Sequence, residues 1–520
     1  MRKYPIGIQD FKKLREENYL YIDKTQIIYN LIQTGTYYFL SRPRRFGKSL
    51  LLSTIKYLFL GEKTLFKNLW IENNFNFQIH PVIHISFSTL GYKEIGLENS
   101  LHQVIEQIAK EKNITLTLKG LGPQLGELIR KISQNAKDKK VVFLIDEYDK
   151  PLVDYIDHPK QAEKNRDILK SFFSAIKDAD AHLKFLFITG VSKFSKVSLF
   201  SDLNHLRDIT LVNQFAEIAG YSEKELEDYF ASEIQELAKK QQQEFSVLKS
   251  KIKEWYNGYS WDIETRIYNP FSILNFFASQ KFANYWWDTG TPTFLIKLLR
   301  NEFHYNLEEI EVGSAIFESY TLENLEWRSL LFQTGYLTIL NYDEDFQVYT
   351  LGYPNKEVKD SMLQHLLGAF RETSITTTKP LYAKMKRALD TCEIRELIKL
   401  IDVLFSTIPH QIFIEKQESF FHAVLHLTFQ GLGLFTQSEV STAKGRVDTV
   451  IHSKSYIYVI EFKLNATAQE ALNQIREKRY GNAYLNQGLE VIAIGISFSS
   501  ETKSVSEWKA LPYKSLLIEG

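Results

Sequence analysis

The sequence predicts a multidomain α/β protein, and three observations carry that prediction. The chain is 520 residues long, its first part alternates apolar strand-like runs with helical periodicity, and a second strand-rich block lies near the C-terminus. A single core stops growing at about 250–300 residues, so a chain of this length divides into three or four domains. Hydrophobic residues make up 44% and charged residues 24%, with 36 Phe and 28 Tyr, enough for dry cores rather than disorder. The 63 basic and 63 acidic residues cancel. Net charge therefore neither selects nor excludes nucleic acid, which needs only a local basic surface. The single cysteine, Cys392, rules out an intramolecular disulfide and a cysteine zinc site, fits a reducing compartment, and reads as a small buried hydrophobe. The N-terminus "MRKYPIGIQDFKKLREENYLYID" lacks the apolar core of a signal peptide, and no uncharged apolar run is long enough to span a bilayer. A cytoplasmic protein without a membrane segment is expected.

The elements follow in order. "YYFL" (37–40) is a short strand, "SRPRRFGKSLL" a loop, and "SLLLSTIKYLFL" a helix by its apolar spacing. "PVIHISF", "KKVVFLIDEYD" and "HLKFLFITGVS" are further strands, separated by helical stretches such as "NRDILKSFFSAIKDA". This alternation argues for a parallel sheet covered on both faces, spanning 1–215. Residues 216–300 read as a helical lid, opened by Ser222 and Glu225 as a capping box. In 301–375, "LENLEWRSLLFQTGYLTIL" is a helix that turns at Gly335 into a strand, and "NYDEDFQVYTLGYP" completes a hairpin. Helix plus hairpin suggests a winged-helix-like unit, more a connector than a DNA reader because the segment has no basic run. The polar stretch "RETSITTTKP" (371–380) is a candidate linker into a last α/β domain, 376–520.

The loop ends in Gly47, Lys48 and Ser49, the residues a phosphate-binding loop uses. Backbone N–H groups at a helix N-terminus cradle phosphate, glycine lets it approach, lysine offsets its charge, and serine ligates Mg²⁺. The tripeptide alone is weak, and a chance match beside a solvated "DEYD" strand end is the alternative. Context strengthens it: a strand precedes, a helix follows, and "VVFLIDEYD" ends a buried strand with Asp146 and Glu147. Asp146 is placed to hold Mg²⁺, Glu147 to polarise the attacking water, and Thr189, ending the next strand, to sense the γ-phosphate. Arg44, Arg45, Phe46, Gly47, Lys48, Ser49 and Leu50 are expected to line the nucleotide site. The usual spacing puts another glycine where this chain has Arg42. With Arg44 and Arg45, Arg42 is expected to bring positive charge towards the triphosphate.

In the last domain, "GRVDTVIHSKSYIYVIEFKLN" reads as two strands around a polar turn. If Lys454 and Ser455 form a two-residue turn, Ser453 faces Tyr456, and counting outward sets Asp448 opposite Glu461, with Cβ atoms roughly 5 Å apart. Lys463, two residues beyond Glu461, shares its face. Two carboxylates and an ammonium so placed can hold a hard divalent cation that activates water against a phosphodiester. They can equally form a cross-strand salt bridge. Glu439 is a further candidate acid, and His422 and His426, spaced i and i+4 on the helix "KQESFFHAVLHLTF", are weaker candidates. "NATAQEALNQIREKRY" is a helix capped by Thr467 and Glu470 that covers the site strand.

Taken in order, "GIQDFKKLREENYLYIDKT", "LSRPRRFGKSLLLST", "FLIDEYDKPL", "FITGVSKFSKVSLFSDLNHLRDIT", "WYNGYSWD", "YNPFSILNFF", "YWWDTGTPTFL", "LLFQTGYLTI" and "YPNKEV" resemble the bacterial AAA-ATPase-like family across nearly the whole chain. Its members commonly carry a C-terminal nuclease-like domain of the PD-(D/E)XK superfamily. The resemblance implies that Arg42 belongs to a family version of the phosphate loop of a P-loop NTPase fold, and that Asp448, Glu461 and Lys463 form the D…ExK motif, with Mg²⁺, or Mn²⁺ in its place, as the metal. Related nucleases often have Tyr four residues after a helical Gln. Here Gln474 is followed at that spacing by Lys478, with Tyr480 two further, which makes Gln474 a weak site residue. The expected function is ATP binding and hydrolysis coupled to a metal-dependent DNA nuclease. The alternative is a nucleotide-dependent switch whose nuclease-like domain binds nucleic acid or a protein without cutting. A homo-oligomer is expected only by analogy with other phosphate-loop switches.

Overall fold

A computed structural model describes residues 2–193, 199–200, 203, 205–287, 293–302, 304–318, 326–371, 378–406, 408, 417–432, 435–442 and 445–518, with backbone only at 293, 378–379, 417–419, 435–442 and 445–447. The chain forms two compact units. The first comprises Met1–Thr291 and Glu308–Val358, the second Pro292–Leu307 and Lys359–Gly520.

The first unit is built on a parallel sheet of β1 (Tyr37–Ser41), β2 (Val82–Ser86), β3 (Val141–Asp146), β4 (Leu183–Gly190) and β5 (Arg207–Asp208), in the order β2-β3-β4-β1-β5. The central strands are apolar along their length because helices cover both faces; every residue of β1 and β3 is buried. Parallel strands all end at one edge of the sheet. The loop after β1, the turn after β3 and the end of β4 therefore meet there, where α/β folds bind ligands. β5, two residues pairing with Tyr38 and Phe39, is too short to leave a periodic signal.

Around this sheet, the helices Glu223–Lys240, Phe245–Tyr256 and Pro270–Ser279 share an apolar core that includes Leu226, Phe230, Ile252 and Phe276. Ser222 and Glu225 cap the first of them reciprocally. Leu20 and Ile22 of the N-terminal segment enter the same core, and Lys24 pairs with Glu225 at 2.6 Å. A small antiparallel sheet, β6 (Ile310–Gly313), β7 (Thr338–Asp343) and β8 (Val348–Gly352) in the order β6-β8-β7, accompanies the helix Trp327–Thr334, which ends at Gly335 with φ +90°. The expected helix and hairpin lie here, with β6 as a third strand.

The second unit carries a mixed sheet of β9 (Phe435–Thr442), β10 (Gly445–His452), β11 (Tyr456–Leu464), β12 (Glu490–Phe498) and β13 (Val505–Pro512), ordered β13-β12-β11-β10-β9. Only β11 and β12 run parallel, and the helix Ala468–Lys478 makes the crossover between them. Leu472 and Ile475 of that helix pack on Val450, Val459 and Ala493.

The three-stranded sheet groups with the N-terminal unit, while the helix Thr293–Asn301 belongs to residues that group with the C-terminal unit. Amphipathic periodicity shows that a helix has a buried face but not which core receives it. Of the candidate linker, 372–377 lie outside the described residues; helices Lys356–Arg371 and Thr378–Asp390 flank them. Among the described residues, no helix is long and apolar enough to cross a membrane.

Candidate functional site

At the end of β1 the chain enters the loop through Ser41 and leaves it at Gly47, whose φ of +88° makes it a left-handed N-cap for the helix Lys48–Phe59. That conformation is open to glycine at little cost. The four leading N–H groups of any helix lack intrahelical partners, so this end presents donors to an anion. Beside it lies a cavity of about 400 Å³. Arg44 through Leu51, which include the loop residues expected from the sequence, form one wall, and Glu147 and Ser88 lie along it, while the expected Asp146 does not line it. The remaining walls come from distant stretches: Pro5–Gln9, Leu20–Lys24, Ile218–Tyr221 and Pro270–Leu274. Ile8, Ile22, Tyr221 and Leu274 make these walls apolar, and none of them was expected at the site from the sequence. Ile8 and Ile22 lie in "GIQDFKKLREENYLYIDKT" and Leu274 in "YNPFSILNFF", segments that carry the family resemblance.

Lys48 is buried, and its ammonium donates to the carbonyls of Arg42 and Pro43, both at 2.9 Å. Burial pushes its pKa down, against the opposing pull of Asp146, Glu147 and Asp149. Asp146 is buried at the end of β3 and accepts the Thr189 hydroxyl at 2.6 Å. Thr189 is fully buried and is not among the cavity walls. It orients the Asp146 carboxylate. Glu147 turns into the left-handed region at φ +55°, a strain of about 1 kcal/mol for such a residue. That turn brings it to the cavity wall. Burial, and then Asp146, push its carboxyl up, while Lys48 and Lys150 oppose the shift. Next to it, Asp149 accepts the N–H and hydroxyl of Ser192, both at 2.8 Å, tying the turn after β3 to the end of β4.

The arginines separate. Arg44 and Arg45 are exposed at the cavity, Arg45 lying 5.0 Å over the Phe271 ring. Arg42 does not reach it. Its guanidinium is fully buried beneath the loop, donates to the carbonyls of Ser41 and Thr210 at 2.9 and 2.8 Å, and stacks 4.1 Å over Trp261. A desolvated stack of this kind is worth about 2 kcal/mol. Burial lowers its pKa to about 9, so the group stays cationic at neutral pH. Of the three arginines of the loop, Arg44 and Arg45 therefore stand at the cavity. Phe46 is also buried, with its ring edge-on to Tyr259 and Trp261, so only its backbone is available to a ligand.

In the second unit, the β10–β11 hairpin closes at Lys454 and Ser455, with the Ser453 N–H donating to the Tyr456 carbonyl at 2.9 Å. His452 then pairs with Ile457 and Thr449 with Ile460. One step beyond, Asp448 and Glu461 face each other and the ladder gives way to side chains: Asp448 Oδ2 accepts the Phe462 N–H at 2.7 Å, and the Asp448 N–H donates to Glu461 at 3.4 Å. Glu461 is 1% exposed. Its carboxyl is pushed up to about 8, first by burial and then by Asp448, while Lys463 opposes the shift. Lys463 donates to Glu461 at 3.3 Å and to Gln474 Oε1 at 2.6 Å.

Gln474, read as a weak candidate, sits in the middle of this cluster and donates to Glu461. Two features put it there. Gly495 on β12 admits the helix Ala468–Lys478 so closely that an added Cβ would lie 2.3 Å from the Ala468 carbonyl. Arg479 then ends the helix in the left-handed region, and the chain folds back until Tyr480 Oη lies 3.4 Å from Gln474 Nε2. The tyrosine reaches the glutamine despite the altered spacing.

His422 lies with Nδ1 3.7 Å from Asp448 Oδ1 and its ring edge-on to Phe462. His426, one turn on, packs edge-on to Tyr305 instead, and burial lowers its pKa to about 4. The i, i+4 histidine pair is therefore not a joint ligand set. Glu439 lies on β9 between residues paired with Thr449 and Val447, but its side chain is outside the described residues.

Comparison with known proteins agrees with this division. Residues 5–200 match the family described as Predicted AAA-ATPase, and 416–508 match the PD-(D/E)XK nuclease superfamily. A protein of Azotobacter chroococcum mcd 1, described as an uncharacterized protein in the vnfD 5' region, is 37% identical over 517 residues, covering 97% of this chain and 98% of the relative.

Proposed function

The chain belongs to the Predicted AAA-ATPase family and carries a PD-(D/E)XK nuclease superfamily domain towards its C-terminus, and from that premise we propose that it binds and hydrolyses ATP in one unit and cuts DNA, with Mg²⁺ or Mn²⁺, in the other. In the first, the triphosphate lies along Gly47–Ser49 with its base among the apolar walls, and Lys48 exchanges the two loop carbonyls for phosphate oxygens. Arg44 and Arg45 add charge from the rim. Ser49 and Asp146 are the groups that would hold Mg²⁺, with Thr189 orienting Asp146. Glu147, at the cavity wall with its carboxyl pushed above the usual carboxylate range by burial and Asp146, takes the proton of the attacking water.

In the second unit, the residues fit a hard cation. Asp448 and Glu461 present carboxylate oxygens to one spot, and burial beside Asp448 makes the charged form of Glu461 unfavourable until a cation compensates it. Bound there, the metal supplies Lewis acidity towards water and phosphodiester. Gln474 and Glu461 hold the Lys463 ammonium where it can orient the nucleophile and offset charge on the phosphate. The observation that carries this reading is the contact of Asp448, Glu461, Lys463 and Gln474 in one cluster. The test is incubation of the full chain with ATP, Mg²⁺ or Mn²⁺, and linear, circular or single-stranded DNA. Cleavage that disappears in Lys463→Ala supports it. Nucleotide binding lost in Lys48→Ala, without cleavage under either metal, would instead establish the non-cutting switch.

A further inference from the structure

Phosphate loops of the usual pattern have glycine where this chain has Arg42, and that arginine sits under the loop rather than in the cavity. The hydrogen bonds and ring contact described for it are all to the scaffold, and Asp208 and Asp262 lie near enough to favour its charge. Nη1 is bonded to the carbonyls of Ser41 and Thr210, and the flat cation rests on Trp261. Among the described residues, Nε and Nη2 have no hydrogen-bond partner. A buried guanidinium with two idle donors is held for its shape and charge against the indole. The consequence appears one bond away: the Arg42 and Pro43 carbonyls are the groups that hold Lys48 Nζ. Phe46 strengthens the same attachment, with its ring edge-on to Trp261 at 5.4 Å and to Tyr259 at 4.8 Å. Tyr259 and Ile267 exchange backbone hydrogen bonds, so the turn between them is a built element.

We propose that Arg42 is a positioning residue of the nucleotide site: through its stack on Trp261 it sets the curve of the loop that presents Gly47, Lys48 and Ser49. The Tyr259–Ile267 turn, distant in sequence, is then the footing of that loop. The arginine replaces a glycine's flexibility with an anchor. This inference rests on the reading of the cavity as a nucleotide site.

The experiment measures binding of a fluorescent ATP analogue with Mg²⁺ to the full chain, together with amide hydrogen exchange of the nucleotide-free protein. Arg42→Gly, which restores the ordinary pattern, and Trp261→Ala should each weaken binding about tenfold, as loss of a buried cation–π contact would. Both should raise exchange across residues 42–49 and 258–262 together. Trp261→Phe keeps an aromatic face and should restore affinity to within about threefold of wild type. Arg42→Gly binding as tightly as wild type, or Trp261→Ala leaving both affinity and exchange unchanged, overturns the proposal. If Arg42→Gly does not fold, the Trp261→Ala and Trp261→Phe pair decides. A wild-type chain that binds no analogue defeats the nucleotide reading itself. Exchange at 42–49 in Trp261→Ala then still reports on the anchor, and an unchanged rate there defeats it separately.

Discussion

Lys48 in the N-terminal unit and Glu461 in the C-terminal unit are both buried beside carboxylates, yet burial moves them in opposite directions. The lysine's pKa falls while the glutamate's rises to about 8, because in each case desolvation favours the neutral form. Acidic neighbours then help the lysine keep its charge and make the glutamate's worse. The loop therefore offers a cation that its own carbonyls already solvate, and the hairpin offers a carboxyl whose charge Lys463 only partly offsets. Their construction differs as well. The hairpin site comes from one stretch, Asp448 to Tyr480, whereas the cavity gathers walls from the N-terminus, the phosphate loop and the segments around Tyr221 and Leu274. A local site inherits its geometry from strand register; a dispersed one inherits it from how helices pack.

The sharpest way to break this comparison is to remove one charge from each site. Lys463→Ala should lower DNA cleavage by about a thousandfold while leaving nucleotide affinity intact, and Lys48→Ala should do the converse, lowering ATP affinity about a hundredfold. Gel assays and nucleotide titrations of both variants would expose any cross-effect. Glu147→Gln is expected to cut ATP turnover about a hundredfold with affinity within about threefold, the pattern of a lost general base. Equal losses in binding and turnover would instead give Glu147 a binding role. Gln474→Ala should cost about tenfold in cleavage, or in metal affinity measured without DNA, as a residue that orients the reacting groups does. Tyr480→Phe, losing one weak hydrogen bond, should cost less.

The smallest effect concerns protons. A carboxyl raised to about 8 lends stability that is fully present below its unfolded value near 4.5 and is lost as pH rises through about 8. The metal-free protein should therefore lose a few degrees of Tm between pH 5 and pH 8, and Glu461→Gln, neutral throughout, should flatten that slope. Binding of Mg²⁺ or Mn²⁺ at pH 7 should release about one proton, read as a buffer-dependent heat in calorimetry. A heat independent of buffer would mean that Glu461 is already ionised.

Much of the hairpin site was legible beforehand because a two-residue turn determines every pairing after it, so counting from Lys454 and Ser455 reached Asp448 and Glu461. Gln474 was undervalued because the related nucleases carry their tyrosine four residues on, where this chain has Lys478. A left-handed Arg479 brings Tyr480 back by a route that periodicity does not contain. In the nucleotide unit, strand, loop and helix followed from apolar runs and a glycine. The burial of Arg42 did not, since nothing local distinguishes an arginine facing a phosphate from one facing an indole.

The sequence by itself determined the parallel sheet, the phosphate loop at its edge and the register of the acidic hairpin, because hydrophobic period and turn length act between near neighbours. Only the tertiary structure decided which segments wall the cavity, that Thr189 serves Asp146, and that Arg42 rests on Trp261. It also decided which unit receives β6–β8 and Pro292–Leu307. Those outcomes depend on contacts between residues far apart in the chain, where packing of whole faces, and not the preference of any one residue, settles the partner.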